Sequence, residues 1–263
     1  MRAIDLLTAF LLLLGTFPLA KALRANRDTT LWQPLLWTLA AWAAWIGVAC
    51  VRAVRPAGDD RLTVYFALCL TGCAGIAVLG ARRPGVSAWN FVVAGLLAVL
   101  LLPILNGMGE LRLESAQEIF LAVTLLVSVL NYLPTRLGLS AVLTATGCGW
   151  EMMRLLGWNF PGWGLFLLAL APWTAWAALA LRKPSTELDQ LWLAYRDRFG
   201  FVWGQRMREQ FNRAAHHAGW PVLLRWSGLH QTAAEPSPDP AALVAMLRAV
   251  LKRFGPEEEN AHG

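Results

Sequence analysis

The chain has 263 residues, 57% of them hydrophobic and 15% charged. Soluble domains average about 45–50% apolar and about 25% charged, so an ordinary soluble monomer is excluded as the expected state. The net charge is +6, with 23 basic residues against 17 acidic ones, but twelve of the 23 fall in the first 181 residues, mostly between apolar runs or at their ends. Membrane topology accounts for them without nucleic acid, which is not expected as a partner.

Seven predominantly apolar stretches follow one another at 4–22, 31–51, 62–80, 86–105, 116–133, 136–156 and 163–181. A helix rises about 1.5 Å per residue, so about 20 apolar residues cross a hydrocarbon core of about 30 Å. The expected fold class is all-α: a polytopic helical membrane bundle of about seven spans over residues 1–183, followed by a C-terminal amphipathic-helical tail.

In the first stretch, Arg2, the run Leu6 to Leu19 and Ala20-Lys21-Ala22 imitate a signal peptide with its cleavage site. Lys21, Arg24 and Arg27 follow the run, however, and positive charge there holds that end in the cytoplasm. An uncleaved helix with an external N-terminus is the expectation. Trp32, Trp89, Trp158 and Trp163 fall where an interfacial aromatic belt would sit. Trp42 with Trp45, and Trp173 with Trp176, lie deeper, each pair three apart on one face, and read as helix packing or lipid contact. Cys50, Cys69, Cys73 and Cys148 all lie in apolar segments with no C-x-x-C pair, which points to packing and away from disulfides or a metal.

Glu110, Glu114 and Glu118 recur every four residues and are expected on one face of a helix entering the fifth span. Such a row attracts a cation or transfers a proton, or simply lies at a wet helix N-terminus; the second is the simpler reading. The sixth stretch is the weakest, with Thr144, Thr146, Gly147 and Gly149, and it is either a full crossing or a re-entrant or tilted segment. It ends in Glu151 and Arg154, three apart and able to pair. Exposing either charge to lipid costs at least about 2.5–3.5 kcal/mol, so an ionisable pair in a span is a functional-site candidate.

With seven spans, the loops on the C-terminal side carry eight basic residues: Lys21, Arg24, Arg27, Arg82, Arg83, Arg136, Arg182 and Lys183. The opposite side carries six: Arg2, Arg52, Arg55, Arg61, Arg112 and Arg154. The excess predicts a cytoplasmic C-terminus. Only Lys21, Lys183 and Lys252 are lysines, and this Arg bias with abundant Ala, Gly and Trp fits a GC-rich bacterial genome. A bacterial inner membrane is the expected location.

The tail divides into 184–231, 232–240 and 241–263. The first part opens as a helix to about His217, whose apolar row is Leu188, Trp192, Tyr195, Phe199, Trp203, Met207 and Phe211. Two arrangements fit it. Either Trp192 and Trp203 enter an anionic leaflet with Arg196, Arg206 and Arg213 toward the headgroups, or the row packs on the rest of the tail or on a partner. Val222 to Trp226 reads as a strand with no evident second strand to pair with it. A Pro-rich linker at 232–240 leads to a short helix through about Phe254, with Asp239 as N-cap and Pro240 in its first turn, and then to the acidic tail Glu257 to Glu259.

No catalytic residue, metal ligand set or cofactor is expected. H-E-x-x-H, Walker and G-x-S-x-G motifs are missing, and all four histidines follow the last span, which argues against intramembrane bis-histidine haem or zinc. The leading expectation is a non-enzymatic scaffold, assembly factor or subunit of a membrane complex. Its expected partners are the bilayer, anionic headgroups and other membrane subunits. The alternative is a permease or transporter component with Glu118, Asn131, Glu151 and Arg154 lining a polar path; convergence of those four on one water-accessible cavity would favour transport or catalysis, and scatter the scaffold.

Overall fold

The computed structural model describes residues 3–54, 60–81, 88–106, 111, 113–158, 161–181, 186–232 and 238–252. Seven helices occupy the seven apolar stretches: α1 Ala3–Ala25, α2 Trp32–Val54, α3 Arg61–Leu79, α4 Ala88–Asn106, α5 Ser115–Leu130, α6 Gly138–Leu155 and α7 Gly164–Leu181. Five of them, α1, α2, α3, α4 and α7, are long and apolar enough to cross a membrane. The α5 helix has only 16 residues, and α6 is diluted by threonines, glycines and its charged end. Glu110, the loop residues Arg55, Asp59, Arg82, Arg83 and Arg112, the Arg182-Lys183 pair, most of the proline linker and the acidic tail lie outside the described residues.

α3 lies at the centre, packed against α2, α4, α5 and α6. Small residues let it be approached closely. A Cβ on Gly72 would lie 2.9 Å from the Thr124 side chain, and one on Gly75 would lie 2.1 Å from Ser128, so α5 runs parallel to α3 in near backbone contact. Cys69 and Cys73 are buried on the face of α3 turned to α4, near the Leu100 and Val93 carbonyls. The deep tryptophans are packing residues with a polar edge to satisfy. Trp42 lies over Gly15 and donates to the Leu12 carbonyl at 3.0 Å, Trp45 donates to the Thr71 hydroxyl at 2.9 Å, and Trp173 donates to the Leu11 carbonyl at 3.4 Å. These bonds tie α1 to α2 and α7, and α2 to α3. The outward faces keep large exposed apolar residues, among them Phe10, Phe17, Phe91, Leu105, Ile119, Leu126, Leu130, Leu139 and Leu181.

The tail has its own core, built on one end of the bundle. Thr186 caps α8 (Glu187–His217), its hydroxyl accepting from the Asp189 amide at 3.1 Å. The helix bends at Gly200, whose φ of 76° and ψ of −164° favour glycine. A hairpin follows, β1 (Val222–Arg225) against β2 (Gly228–Gln231), antiparallel with Leu223 opposite His230. The expectation of an unpartnered strand is thus corrected: β2 ends in His230 and Gln231 and has no apolar alternation to reveal it. Asp239 caps α9 (Pro240–Leu251) by accepting from the Ala241 amide. Trp192, Met207, Phe211, Leu224 and Leu247 form the centre of this core, joined by Leu31, Val78 and Ala81 from the bundle end. The apolar row of α8 is therefore covered by its own tail and by the bundle. Of the two arrangements weighed from the sequence, internal packing is the one in the structure.

Candidate functional site

Two polar clusters stand at opposite ends of the bundle. At the first, the Glu151 side chain is fully buried and shared by two arginines. Arg52, at the end of α2, donates through Nη2 at 2.6 Å and Nη1 at 3.2 Å, while Arg154, one turn along α6, donates at 3.2 Å. Arg52 also pairs with Asp60 at 2.5 Å, just before α3. Arg61 donates to the Leu155 carbonyl at 3.1 Å. The result is an ionic knot joining the ends of α2 and α6 to the start of α3, half-open to solvent through the arginines and closed around the carboxylate. The α7 helix closes it because Gly164 carries no side chain: a Cβ there would lie 2.7 Å from Glu151 Oε1. Such a group is retained only where partners neutralise it, because an unpaired buried carboxylate is strongly disfavoured.

The second cluster fixes the tail. Asn131, buried at the end of α5, brackets the Gly200 bend: its Nδ2 donates to the Phe199 carbonyl at 3.3 Å, and its Oδ1 accepts from the Val202 amide at 3.0 Å. Its backbone carbonyl accepts from the Phe201 amide at 2.6 Å. Glycine is required at 200 by space as well as by conformation, since a Cβ would lie 2.2 Å from Asn131 Nδ2. Around this bracket, Asp197 is buried and pairs with Arg136 and with Arg196. Arg196 also donates to the Trp226 carbonyl at 2.7 Å. Trp226 donates to the Pro134 carbonyl, and Trp203 donates to the Leu79 carbonyl at 3.1 Å.

The four residues considered for a polar path thus scatter. Glu151 and Arg154 meet, as their spacing predicted, but the bidentate partner of Glu151 is Arg52. Asn131 stands at the other end of the bundle, roughly 20 Å away along the axis by helical rise, and is consumed by the tail. Glu118 sits in the first turn of α5; among the described residues no hydrogen bond or ion pair joins it to Glu151. The expected row of three glutamates on one helix face is also corrected. Glu114 precedes α5 as its N-cap, its amide donating to the Gln117 side chain at 3.0 Å, because the helix begins only at Ser115. Of the residues considered for a membrane surface, Trp192, Trp203 and Arg196 are buried, while Arg206 and Arg213 are exposed. Arg206 lies over the Trp203 ring at 5.0 Å.

The sequence reading missed Arg52, Asp197, Arg136 and the pairing of Asn131 with Gly200. By sequence Arg52 is a loop charge just past the second apolar stretch; in the structure it lies in the last turn of α2. No protein-family model, curated protein or solved structure matches the chain.

Proposed function

We propose that the chain is a multi-pass integral membrane protein, with seven crossings and a cytoplasmic C-terminal domain, that serves as a non-enzymatic scaffold, assembly factor or subunit of a membrane complex. The observation that carries this reading is the scatter of the polar residues. The buried charges at one end are neutralised among themselves, Asn131 at the other end is bonded into the tail, and the polar side chains packed between the helices include Tyr65, Thr71, Thr124 and Ser128, whose hydroxyls donate to backbone carbonyls. Leu68, Cys69, Cys73, Leu121, Cys148 and Ala169 all sit in one hydrophobic core. A permease with a polar path requires side chains that face a common aqueous space. The tail, docked by backbone and side-chain bonds to α3 and α5, is a fixed platform on the bundle.

The native cysteines provide the test. Cys69, Cys73 and Cys148 are buried, the first two within α3 and Cys148 one turn before Glu151 in α6. In native membranes a small membrane-permeant thiosulfonate should leave all three unmodified. The same membranes in a mild detergent should yield a species heavier than the monomer that contains another membrane protein. Rapid modification of Cys69 or Cys148 from the aqueous phase, with only monomer recovered, would replace this reading by the permease.

A further inference from the structure

The bend in α8 leaves two adjacent large apolar side chains uncovered: Phe201 is 45% exposed and Val202 is 37% exposed. They lie off the buried row of Trp192, Phe199, Trp203 and Met207, so the tail core does not use them. Their position is fixed by the Asn131 bracket, since the amides of both residues are bonded to Asn131. They therefore sit at Asn131, at the end of α5, a helix whose exposed apolar residues include Leu126 and Leu130 and which is followed by the exposed Leu133. Two amphipathic rings stand at the same level. Tyr132 donates its hydroxyl to the Arg198 carbonyl at 3.1 Å, and Trp226 lies 5.6 Å from the Phe201 ring and donates to the Pro134 carbonyl. Exposed arginines flank the pair, Arg198 on one side and Arg206 on the other.

We infer that Phe201 and Val202 enter the headgroup layer of an anionic leaflet, with Arg198 and Arg206 directed to lipid phosphates. This rests on the membrane reading above. The occupant follows from continuity and charge: the patch extends the outward face of α5, which in that reading meets acyl chains, and it ends in cations where the headgroups begin. Interfacial segments carry this combination, apolar and aromatic side chains about 5–10 Å into the boundary with basic residues above them. The leaflet contact, one of two arrangements that the sequence allows for Trp192 and Trp203, passes in this reading to the two residues that the Gly200 bend turns outward.

The test uses the full chain with Cys50→Ser, reconstituted in nanodiscs of phosphatidylcholine with or without phosphatidylglycerol. A nitrobenzoxadiazole fluorophore is attached in turn at Phe201→Cys, Val202→Cys, Leu126→Cys on α5 and the exposed Ala245→Cys on α9. Quenching by lipids spin-labelled in the headgroup should be severalfold stronger at 201 and 202 than at 245, while 126 should respond to a mid-chain label. R198Q/R206Q should reduce quenching at 201 in anionic discs and leave it unchanged in neutral ones. If 126 is quenched and neither 201 nor 202 is, the tail stands clear of the leaflet and the inference fails alone. Failure of 126 to respond to any lipid label would remove the membrane reading and this inference together. Equal quenching at 201 with and without the two arginines in anionic discs would overturn their assignment to phosphates.

Discussion

Replacing Arg52 by Gln should be the most damaging single change in the Glu151 knot. The Glu151 side chain has no solvent contact, and Arg52 supplies two of the three charged hydrogen bonds it receives among the described residues, at 2.6 and 3.2 Å. Removing one member of a buried pair costs about 3–5 kcal/mol, because the other charge keeps its desolvation cost. Two features moderate that range: Arg154 still reaches Glu151 at 3.2 Å, and the Arg52 side chain is 23% exposed. R52Q should therefore cost about 3 kcal/mol, near the lower limit. R154Q removes a longer, single bond from a side chain that is 31% exposed, and should cost about 1 kcal/mol. In a double-mutant cycle with E151Q, coupling to Arg52 should be about 2 kcal/mol and coupling to Arg154 less than half that. Reversible unfolding in mixed detergent micelles, titrated with a denaturing detergent, measures all of these. Equal costs for R52Q and R154Q, or strict additivity of R52Q with E151Q, would refute the ordering.

Three further outcomes follow from the packing. G200A forces a Cβ to within 2.2 Å of Asn131 Nδ2 at a φ of 76°, so it should cost at least about 1–3 kcal/mol of local strain and raise amide exchange across 187–217 while the bundle stays protected. G164A presses on Glu151 Oε1 and the Gly147 carbonyl, at 2.7 and 3.0 Å, and should lower stability by about 1–3 kcal/mol; G162A, with nothing within 4 Å, should lie within about 0.5 kcal/mol of the parent in the same titration. R248Q breaks an ion pair to Glu187 in which both side chains are more than 60% exposed, and the change should be below about 1 kcal/mol in a thermal unfolding comparison.

The helices were legible in the sequence because each is a local pattern. Seven apolar runs gave seven helices, Asp239 and Pro240 marked the start of α9, and the spacing of Glu151 and Arg154 gave their contact. Contacts between distant segments were not legible in this way. Arg52 and Glu151 are 99 residues apart, and Asn131 and Val202 are 71 apart. Periodicity assigns a residue to a face but does not name the helix that covers it. The row through Trp192 and Trp203 shows the consequence: an amphipathic face looks the same whether lipid, a partner or α9 covers it. The requirement for glycine at 200 comes from Asn131, across the fold. The β2 strand was hidden because its short, polar sequence has no alternation, and it is held by pairing with β1.

Cysteine labelling in spheroplasts tests the proposed seven crossings and their direction together. Single cysteines replace Glu114 and Gly162 at the end of the bundle that holds Glu151, and Asp28 and His217 at the end that holds the tail. A membrane-impermeant maleimide should label positions 114 and 162 in intact spheroplasts and reach 28 and 217 only after permeabilisation. Labelling of 217 together with 114 in intact spheroplasts would contradict the proposed topology.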